Sequence, residues 1–432
     1  RLHMCALTRD EQQLLNYYDA QRDELIALLQ KLVQIDTQNF ISHGREAEGQ
    51  DYIQQWFSTR GFKTARYAPD SLPGFTDHPA YHPGRGTDHR ENITAFYDDR
   101  TEKKQALMIA AHTDTMPVGD PEAWRHPPFG GVIEGGRLYG LGVGDNKAGL
   151  AAGMMAFKAM KALGIRLSGS LSFTAYVDEE YGGGGGALAA CLAYPAASYL
   201  NLDGGNFELW LSAIGGGVFR MDIKYPHTTD TASTVFPALV QVHDALQVWK
   251  TVLQEKLAAD PLYVGSDMHR SALRITNMRI GDSAMGLNQA SLGFVVYTKD
   301  NEAGLRAGLE AVLGPVRKRL ADDGFVLSEP ENASRFFEYG SIDPNSPLLL
   351  SLEQSIQDAR GRGAERKGAC LSDLSIFQRY GSPDSMSFGI LRDFALEGGA
   401  HQPDEFVELD EFLDYSKSLC LFLYRYLGGR KG

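Results

Sequence analysis

The sequence lacks the paired cysteines that mark disulfide-rich proteins and zinc fingers. Its four cysteines, Cys5, Cys191, Cys370 and Cys420, lie far apart, and no two of them form a C-x-x-C motif. We therefore expect reduced thiols, as is usual in the cytosol, and neither a disulfide framework nor a thiolate zinc site.

Long hydrophobic runs and an excess of positive charge are also missing. The longest apolar run near the end, Leu419–Tyr424, is too short to span a bilayer. The N-terminal segment has no apolar signal core. The formal net charge of −13 argues against nucleic acid and anionic membranes as main partners. These absences predict a cytoplasmic protein with no membrane or nucleic-acid partner.

The 432 residues suffice for two or three domains, or for one large core with an inserted module. The pattern of predicted strands and helices changes at Gly215, which favours an inserted module. From there strands are predicted at Val218–Tyr225, Leu273–Ile280 and Ser291–Thr298, and helices at Val235–Leu257 and Glu302–Asp323. This β-α-β-β-α order is typical of an α+β unit. We predict an inserted domain at residues 215–328 between two parts of a first domain, residues 1–214 and 329–432.

The stretch Ala106–Lys147 organises the first domain. Leu107–Ala110 is a continuous apolar run and predicts a buried strand, which His112 and Asp114 follow at once. Asp145 lies in a glycine-rich turn just before a predicted helix, Ala148–Leu163. An imidazole backed by a carboxylate, with a second carboxylate on a loop, is what a divalent metal requires.

Other predicted strands end in the same way. Leu171–Val177 runs into the acidic residues Asp178, Glu179 and Glu180, and Ser198–Leu202 runs into Asp203. Three adjacent carboxyl groups repel one another, which a bound cation would relieve. With His401 from the C-terminal part, the strand-end residues suit a pair of borderline metals, most plausibly zinc. We expect the three histidines of the Pro69–Arg90 loop to be solvated.

Five motifs in a fixed order then give a resemblance that covers nearly the whole chain. They are AHTDTMPVGD, GLGVGDNKAG, DEEYGG, NLDGG and GGAHQPDEF. In these motifs the chain resembles the dinuclear metallohydrolases of family M20, which include acetylornithine deacetylase, succinyl-diaminopimelate desuccinylase, aminoacylase and carboxypeptidase G. The resemblance implies a catalytic α/β domain, with a mixed twisted sheet flanked by helices, and an inserted α+β lid or dimerisation domain.

The resemblance also implies a role for each motif residue. The metal ligands would be His112 and Asp203 in one site, Glu180 and His401 in the other, and Asp145 as the bridge between the ions. Asp114 would hydrogen-bond His112 and fix its tautomer. Glu179 would be the general base that takes a proton from a water shared by the metals.

In such enzymes a histidine of the inserted domain, often that of the partner subunit in a homodimer, stabilises the oxyanion. His227 is the candidate here, and the resemblance implies a homodimer. The implied function is hydrolysis of an amide bond in an N-acyl amino acid or similar small substrate, with two divalent ions, zinc or else cobalt or manganese. A dipeptidase or exopeptidase with the same metal centre is the alternative.

The chain departs from the family pattern at two places. The usual DMKGG is DNKAG, with Asn146 and Ala148 at the changed positions. Relatives end the last strand of the insert in an arginine that grips the substrate's carboxylate, whereas LGFVVYTKD places Tyr297 there. Asp373, with Ser372 beside it, and Arg379 are candidate replacements.

The sequence disfavours two further hypotheses about function. A nucleotide-binding protein built on Gly140–Gly144 fails because no Lys-Ser follows, as in a P-loop, and no acidic residue completes a dinucleotide fingerprint. A catalytically dead relative is disfavoured because every predicted ligand position and the base are occupied by competent residues.

Overall fold

The computed structural model describes residues 2–225, 232–281 and 288–432. It is a mixed α/β protein, as the sequence predicts. Two compact units are present. The first comprises Arg1–Leu211, Ser341–Ala369 and Ile376–Gly432, and the second Ser212–Gly340 and Cys370–Ser375. The lid or dimerisation role of the insert stays a prediction.

The helices of the described residues are, in chain order, α1 (Arg9–Ala20), α2 (Arg22–Val33), α3 (Ala47–Thr59), α4 (Ala148–Ala162), α5 (Gly185–Ala193), α6 (Ala232–Ala258), α7 (Asp267–Arg270), α8 (Glu302–Asp322), α9 (Pro347–Arg360), α10 (Leu374–Ile376) and α11 (Leu409–Tyr426). None of them is both long and apolar enough to cross a bilayer.

The strands of the described residues are β1 (Lys63–Tyr67), β2 (Asn92–Phe96), β3 (Gln105–His112), β4 (Val132–Glu134), β5 (Arg137–Tyr139), β6 (Ile165–Leu167), β7 (Leu171–Tyr176), β8 (Ala196–Asn201), β9 (Glu208–Ala213), β10 (Gly215–Lys224), β11 (Leu273–Ile280), β12 (Gln289–Thr298), β13 (Val326–Leu327), β14 (Glu331–Asn332), β15 (Gly340–Ser341), β16 (Arg366–Ala369), β17 (Ser385–Gly389), β18 (Phe406–Glu408) and β19 (Gly429–Lys431).

The main sheet belongs to the first unit and follows the order β1-β2-β7-β3-β8-β17-β9, with β16 also paired to β9. Its centre is parallel, because β3 pairs in parallel with both β7 and β8, and β17 pairs in parallel with β8. The carboxyl ends of these strands therefore meet at one edge of the sheet, where open α/β folds build their sites.

Helices cover the sheet with small and flexible side chains. Helix α4 buries Met154, Met155 and Met160, so its methionines serve packing. Gly153 lets α4 approach the sheet closely. A Cβ at this position would lie 2.5 Å from a ring carbon of Phe173 on β7.

The second unit has a core of its own. Its sheet runs β11-β12-β10-β13, and β14 also pairs with β10. Strands β10 and β12 are antiparallel with Gly215 opposite Thr298. Helices α6 and α8 pack over this sheet and bury Trp249 and Leu309 against Phe219 and Phe294.

Most predicted strands and helices are found within a few residues of their expected bounds, and the main omission lies at the N-terminus. The apolar residues between Leu25 and Val33 recur at helical spacing and predict a helix over Asp19–Ile35, which corresponds to α2, whereas α1 was not predicted. Thr8 starts α1 with a capping box, in which its side chain and that of Glu11 satisfy each other's backbone N–H groups. The chain leaves helical geometry at Gln21, with φ −106° and ψ 21°, and begins again in α2.

Candidate functional site

The ends of three neighbouring parallel strands supply most of the site. His112 is the last residue of β3, Glu179 and Glu180 follow β7, and Asp203 follows β8. All of these except Glu179 are buried, and the Glu179 side chain is 12% exposed. The sheet therefore brings together residues that are far apart in the sequence.

Asp145 lies at the centre of the site. It belongs to the turn Val143–Lys147, where the Asp145–Asn146 peptide bond is cis. Its Oδ1 is 3.0 Å from Nε2 of His112, and its Oδ2 is 3.0 Å from Nε2 of His401. The two oxygens of one carboxylate thus face two different imidazoles, as a carboxylate shared between two metal ions would.

The other predicted ligands lie around the same imidazoles. Glu180 Oε2 is 3.2 Å from His401 Nε2, and Asp203 Oδ1 is 3.7 Å from His112 Nε2. Glu179 Oε2 is also 3.7 Å from His112 Nε2. Within the described residues, two three-residue groups have the compactness of a metal site: His112, Glu179 and Asp203, and His112, Asp145 and Glu180. The division of ligand and base between Glu179 and Glu180 stays a prediction.

The pKa shifts of His112 and His401 show that this set of donors lacks a compensating positive charge. Burial alone would lower the pKa of His112, but the charges of Asp203 and Glu179 raise it well above its usual range. Burial also acts to lower the pKa of His401, and the charge of Glu180 with the hydrogen bond to Asp145 raises it to about 12. In the absence of a cation, the negative charges around the two imidazoles favour their protonated forms. Divalent ions would displace such protons. The donor set therefore fits a dinuclear metal centre.

The pKa values of Glu180 and Asp145 shift in opposite directions. Burial and then the charge of Asp145 raise the pKa of Glu180 to about 7. Burial acts in the same direction on Asp145, but hydrogen bonds with His112 and His401 outweigh it and hold its pKa far below the usual range. Asp145 therefore keeps its charge most firmly, which suits a carboxylate shared by two cations.

Asp114 fixes the geometry behind His112. Its backbone carbonyl lies 2.8 Å from His112 Nδ1, and its carboxylate oxygen lies 3.4 Å from the same atom. The carboxylate also accepts the backbone N–H groups of Glu179 and Glu180 at 3.0 and 2.9 Å, and the amide of Asn39 at 2.8 Å. Asp114 therefore holds both the imidazole and the Glu179–Glu180 turn in place.

Asp178 has a different role from its two acidic neighbours. The sequence suggested a cation behind all three carboxylates, but Asp178 is neutralised by arginines. Arg85 forms an ion pair with it, and Arg90 does so at 3.0 Å while also pairing with the buried Glu46. The Arg85 guanidinium also donates to the backbone carbonyl of Glu180 at 2.8 Å. The Pro69–Arg90 loop thus stabilises the acidic turn that follows β7.

The changed residue in DNKAG has a defined contact. Asn146 accepts the backbone N–H of His112 at 3.1 Å, and its amide donates to the carbonyl of Leu202 at 2.7 Å. An amide can do both at once, because it carries an acceptor and a donor. Asn146 therefore links the ends of β3 and β8 beneath the site.

Glu405 is buried beside Asp145. Its carboxylate accepts the backbone N–H groups of Gly142, Gly144 and Asp145. Burial, followed by the charge of Asp145, raises the pKa of Glu405 to about 8.

Tyr297, Asp373 and Arg379 are further sequence-predicted residues that the structure describes. His227 falls outside the described residues. In the second unit, Tyr297 is buried on β12, and Asp373 accepts a hydrogen bond from Arg335 at 2.7 Å. Arg379 is exposed. No further arginine for a substrate carboxylate was identified from the sequence.

Several residues of the site were not recognised in the sequence. Asn39, Glu46, Arg85, Arg90 and Glu405 belong to loops or turns, and their partners are remote in the chain. Only Glu405 carried a signal, because it lies in the GGAHQPDEF motif itself. The prediction for the Pro69–Arg90 loop considered only its histidines, whereas Arg85 and Arg90 of this loop make the contacts with Asp178.

Comparison with known proteins places these features in a family. The family model described as Peptidase family M20/M25/M40 matches residues 108–425. A succinyl-diaminopimelate desuccinylase from Methylobacterium sp. (strain 4-46) is 31% identical over 239 residues, which cover 50% of this chain and 54% of that protein. An N-formyl-4-amino-5-aminomethyl-2-methylpyrimidine deformylase from Halalkalibacterium halodurans is 30% identical over 175 residues, which cover 40% of this chain and 37% of that enzyme.

The chain thus spans about half, or less, of the length of these two relatives. Among solved structures, human carnosine dipeptidase 1 has a TM-score of 0.70 at 14% identity, and the match covers 98% of this chain and all of that one (100%). At this identity the likeness concerns the fold. The matched residues 108–425 include every residue of the predicted ligand set.

Proposed function

Because this chain belongs to peptidase family M20/M25/M40, we propose that it is a metal-dependent hydrolase that cleaves the amide bond of an N-acyl amino acid or a similar small substrate. The observation that carries the proposal is the position of Asp145, whose two carboxylate oxygens each lie 3.0 Å from a different imidazole. According to their names, one relative removes a succinyl group and the other a formyl group, which favours a deacylase.

Two divalent ions, with zinc as the expected metal, would be held by His112 and Asp203 on one side, by Glu180 and His401 on the other, and by Asp145 between them. Bound there, such ions supply Lewis acidity and a water of lowered pKa. Mixed nitrogen and oxygen donors without thiolates suit zinc, and they also accept cobalt or manganese.

Glu179 is the proposed general base. It takes the proton of the attacking water and later passes it to the departing amine. Its backbone N–H is held by Asp114, so the position of the base is tied to the residue that orients His112. His227 is proposed as the donor to the oxyanion that forms when the carbonyl is attacked.

A homodimer is proposed through the second unit. Helix α6 exposes Phe236, Val240, Val248 and Val252, which recur at intervals of four or eight residues and form a band along the helix. We call this set the α6 band. Strand β11 ends the sheet order among the described residues and exposes Met278 and Ile280. An apolar band beside an edge strand is a typical protein-contact surface.

The cytoplasm is the proposed location. The described residues form no disulfide bond: Cys191 and Cys420 are buried, Cys370 is half-buried and Cys5 is exposed. Cysteines that form no disulfide are expected in a reducing compartment.

The test is a hydrolysis panel of N-acetyl, N-succinyl and N-formyl amino acids together with dipeptides. We expect release of the free amine from at least one acylated amino acid. Chelation should abolish this activity, and added zinc or cobalt should restore it. Cleavage of dipeptides alone would favour the dipeptidase alternative, whereas full activity in metal-free protein would overturn the proposal.

A further inference from the structure

Glu405 connects the two loops that carry Asp145 and His401. It lies four residues after His401 on the same loop and is 2% exposed. Its Oε1 accepts the N–H of Gly142 at 3.0 Å, and its Oε2 accepts those of Gly144 and Asp145 at 2.9 and 3.2 Å. One side chain therefore receives three backbone donors from the turn that presents Asp145.

The main chain of Glu405 makes a further link to that turn. Its carbonyl oxygen accepts the N–H of Gly140 at 2.9 Å. The turn itself needs glycine, because Gly142 has a φ of 72° and a Cβ on Gly144 would lie 3.1 Å from the Cα of Leu391. Successive N–H groups that converge from such a turn form a concave site for an anion. In this protein the carboxyl group of Glu405 occupies that site, and its oxygens accept these N–H groups.

The two sides of the proposed metal centre depend on Glu405 to different extents. His112 is held by its position at the end of β3 and by the contact of its Nδ1 with the Asp114 carbonyl at 2.8 Å. His401 lies in a loop, and it meets Asp145 only where that loop meets the glycine-rich turn. Glu405 is the side chain that joins these two segments.

We propose that Glu405 is a positioning residue that sets the distance between Asp145 and His401, and that it thereby controls the affinity for one of the two metal ions. The inference rests on the proposed dinuclear centre. The ion held by Glu180 and His401 should depend on Glu405 far more than the ion held by His112 and Asp203, because Asp145 is shared by both ions whereas the His401 loop supplies a ligand to only one. Glu405 itself is not a ligand in this proposal, because its oxygens are taken up by backbone donors.

The test is a titration of metal-free Glu405→Gln protein with Co²⁺, followed by calorimetry and by the visible spectrum of the bound ion. Glutamine keeps the size of the side chain but turns an amide N–H₂ toward backbone N–H groups. Glu408→Gln is the matched control, since Glu408 lies three residues further on and pairs with Arg137 near the surface. Glu405→Asp, which keeps the charge and shortens the side chain, is a second variant if the first does not fold.

We expect wild type and Glu408→Gln to bind two ions. Glu405→Gln should bind the first ion as wild type does and the second about 10–100-fold more weakly, as is typical for loss of a group that orients a ligand. The spectrum of the second ion should change as well. Two ions bound as in wild type, or both weakened equally, would overturn the proposal. Wild type that binds no cobalt would instead overturn the dinuclear centre.

Discussion

Two adjacent glutamates receive different surroundings from one turn. The Glu180 side chain is 5% exposed and lies 3.2 Å from the imidazole of His401, whereas that of Glu179 is 12% exposed and lies 3.7 Å from the imidazole of His112. Asp114 anchors the backbone N–H of each residue separately. A ligand and a base can therefore be neighbours in sequence without competing for one position.

Replacement of the base tests this division of roles. Glu179→Gln should lower kcat by about 10²–10⁴-fold, since an amide cannot take the proton of the attacking water. The metal content, measured by atomic emission of the purified protein, should stay at the wild-type level. Loss of metal together with activity would mean that Glu179 is a ligand and that the two roles are reversed.

The proposed metal ligands and Asp114 could be predicted from the sequence, but most of the residues that hold them in place could not. His112, Asp145, Glu180, Asp203 and His401 stand in motifs directly after strands or in glycine-rich turns. The supporting residues have no such local signature, because a contact such as that between Asn39 and Asp114 joins segments 75 residues apart. Only the fold brings such partners together.

At the scale of the elements, three helices of the first unit meet at one half-buried arginine. Arg425 of α11 pairs with Glu11 of α1 at 2.9 Å and with Asp358 of α9 at 2.6 Å. Burial acts to raise the pKa of Glu11, but the hydrogen bonds from Arg425 and from Thr8 outweigh it and lower this pKa below its ordinary value of 4.5. The helices are thus joined by charge as well as by apolar packing.

Arg425→Met should destabilise the protein by about 3–5 kcal/mol, because it leaves two buried carboxylates without their cation. Urea unfolding at pH 7 measures this loss. The exposed pair of Arg22 with Asp410 is the control, and Arg22→Met should cost about 0–1 kcal/mol. An equal effect of the two substitutions would contradict the importance of burial.

The same pair predicts a pH dependence. Because the folded pKa of Glu11 is lowered, its contribution to stability is present above pH 4.5 and is lost as the pH falls through the folded pKa. The cost of Arg425→Met should therefore shrink in acid. A cost that stays constant between pH 7 and pH 3.5 would show that packing, and not charge, holds these helices together.

The central strands β3 and β7 of the main sheet could be predicted, because β3 contains a continuous apolar run and β7 alternates between apolar and polar residues. The boundary between α1 and α2 could not, because it depends on the backbone geometry at a single residue, Gln21. Helical periodicity identified the buried face of α2. Helix α1 buries Glu11, Leu14, Leu15 and Tyr18 at the same helical spacing, but it was not predicted because the N-terminal stretch was judged only for a signal segment.

At the scale of the whole molecule, the α6 band is the surface on which the proposed dimer depends. Val248, at its centre, is 63% exposed, and Val326 on β13 of the same unit is 58% exposed. The two valines are thus matched in kind and in exposure, and they differ in position.

Val248→Glu should therefore convert the dimer to single chains, because a charge in an apolar interface loses its hydration, while Val326→Glu should leave the dimer intact. Light scattering coupled to gel filtration gives the masses. A wild-type mass of one chain, or a dimer that survives Val248→Glu, would refute this interface.

The place of β17 in the main sheet has a consequence for how the protein is made. Ser385–Gly389 lies between β8 and β9, strands that leave the ribosome almost two hundred residues earlier. Until then, the facing edges of β8 and β9 present unpaired backbone groups, which invite association with other nascent chains. His401 emerges later still. The growing polypeptide must therefore leave these two strand edges unpaired until β17 has been made, and the proposed metal site at Glu180 and His401 cannot form before His401 has been synthesised.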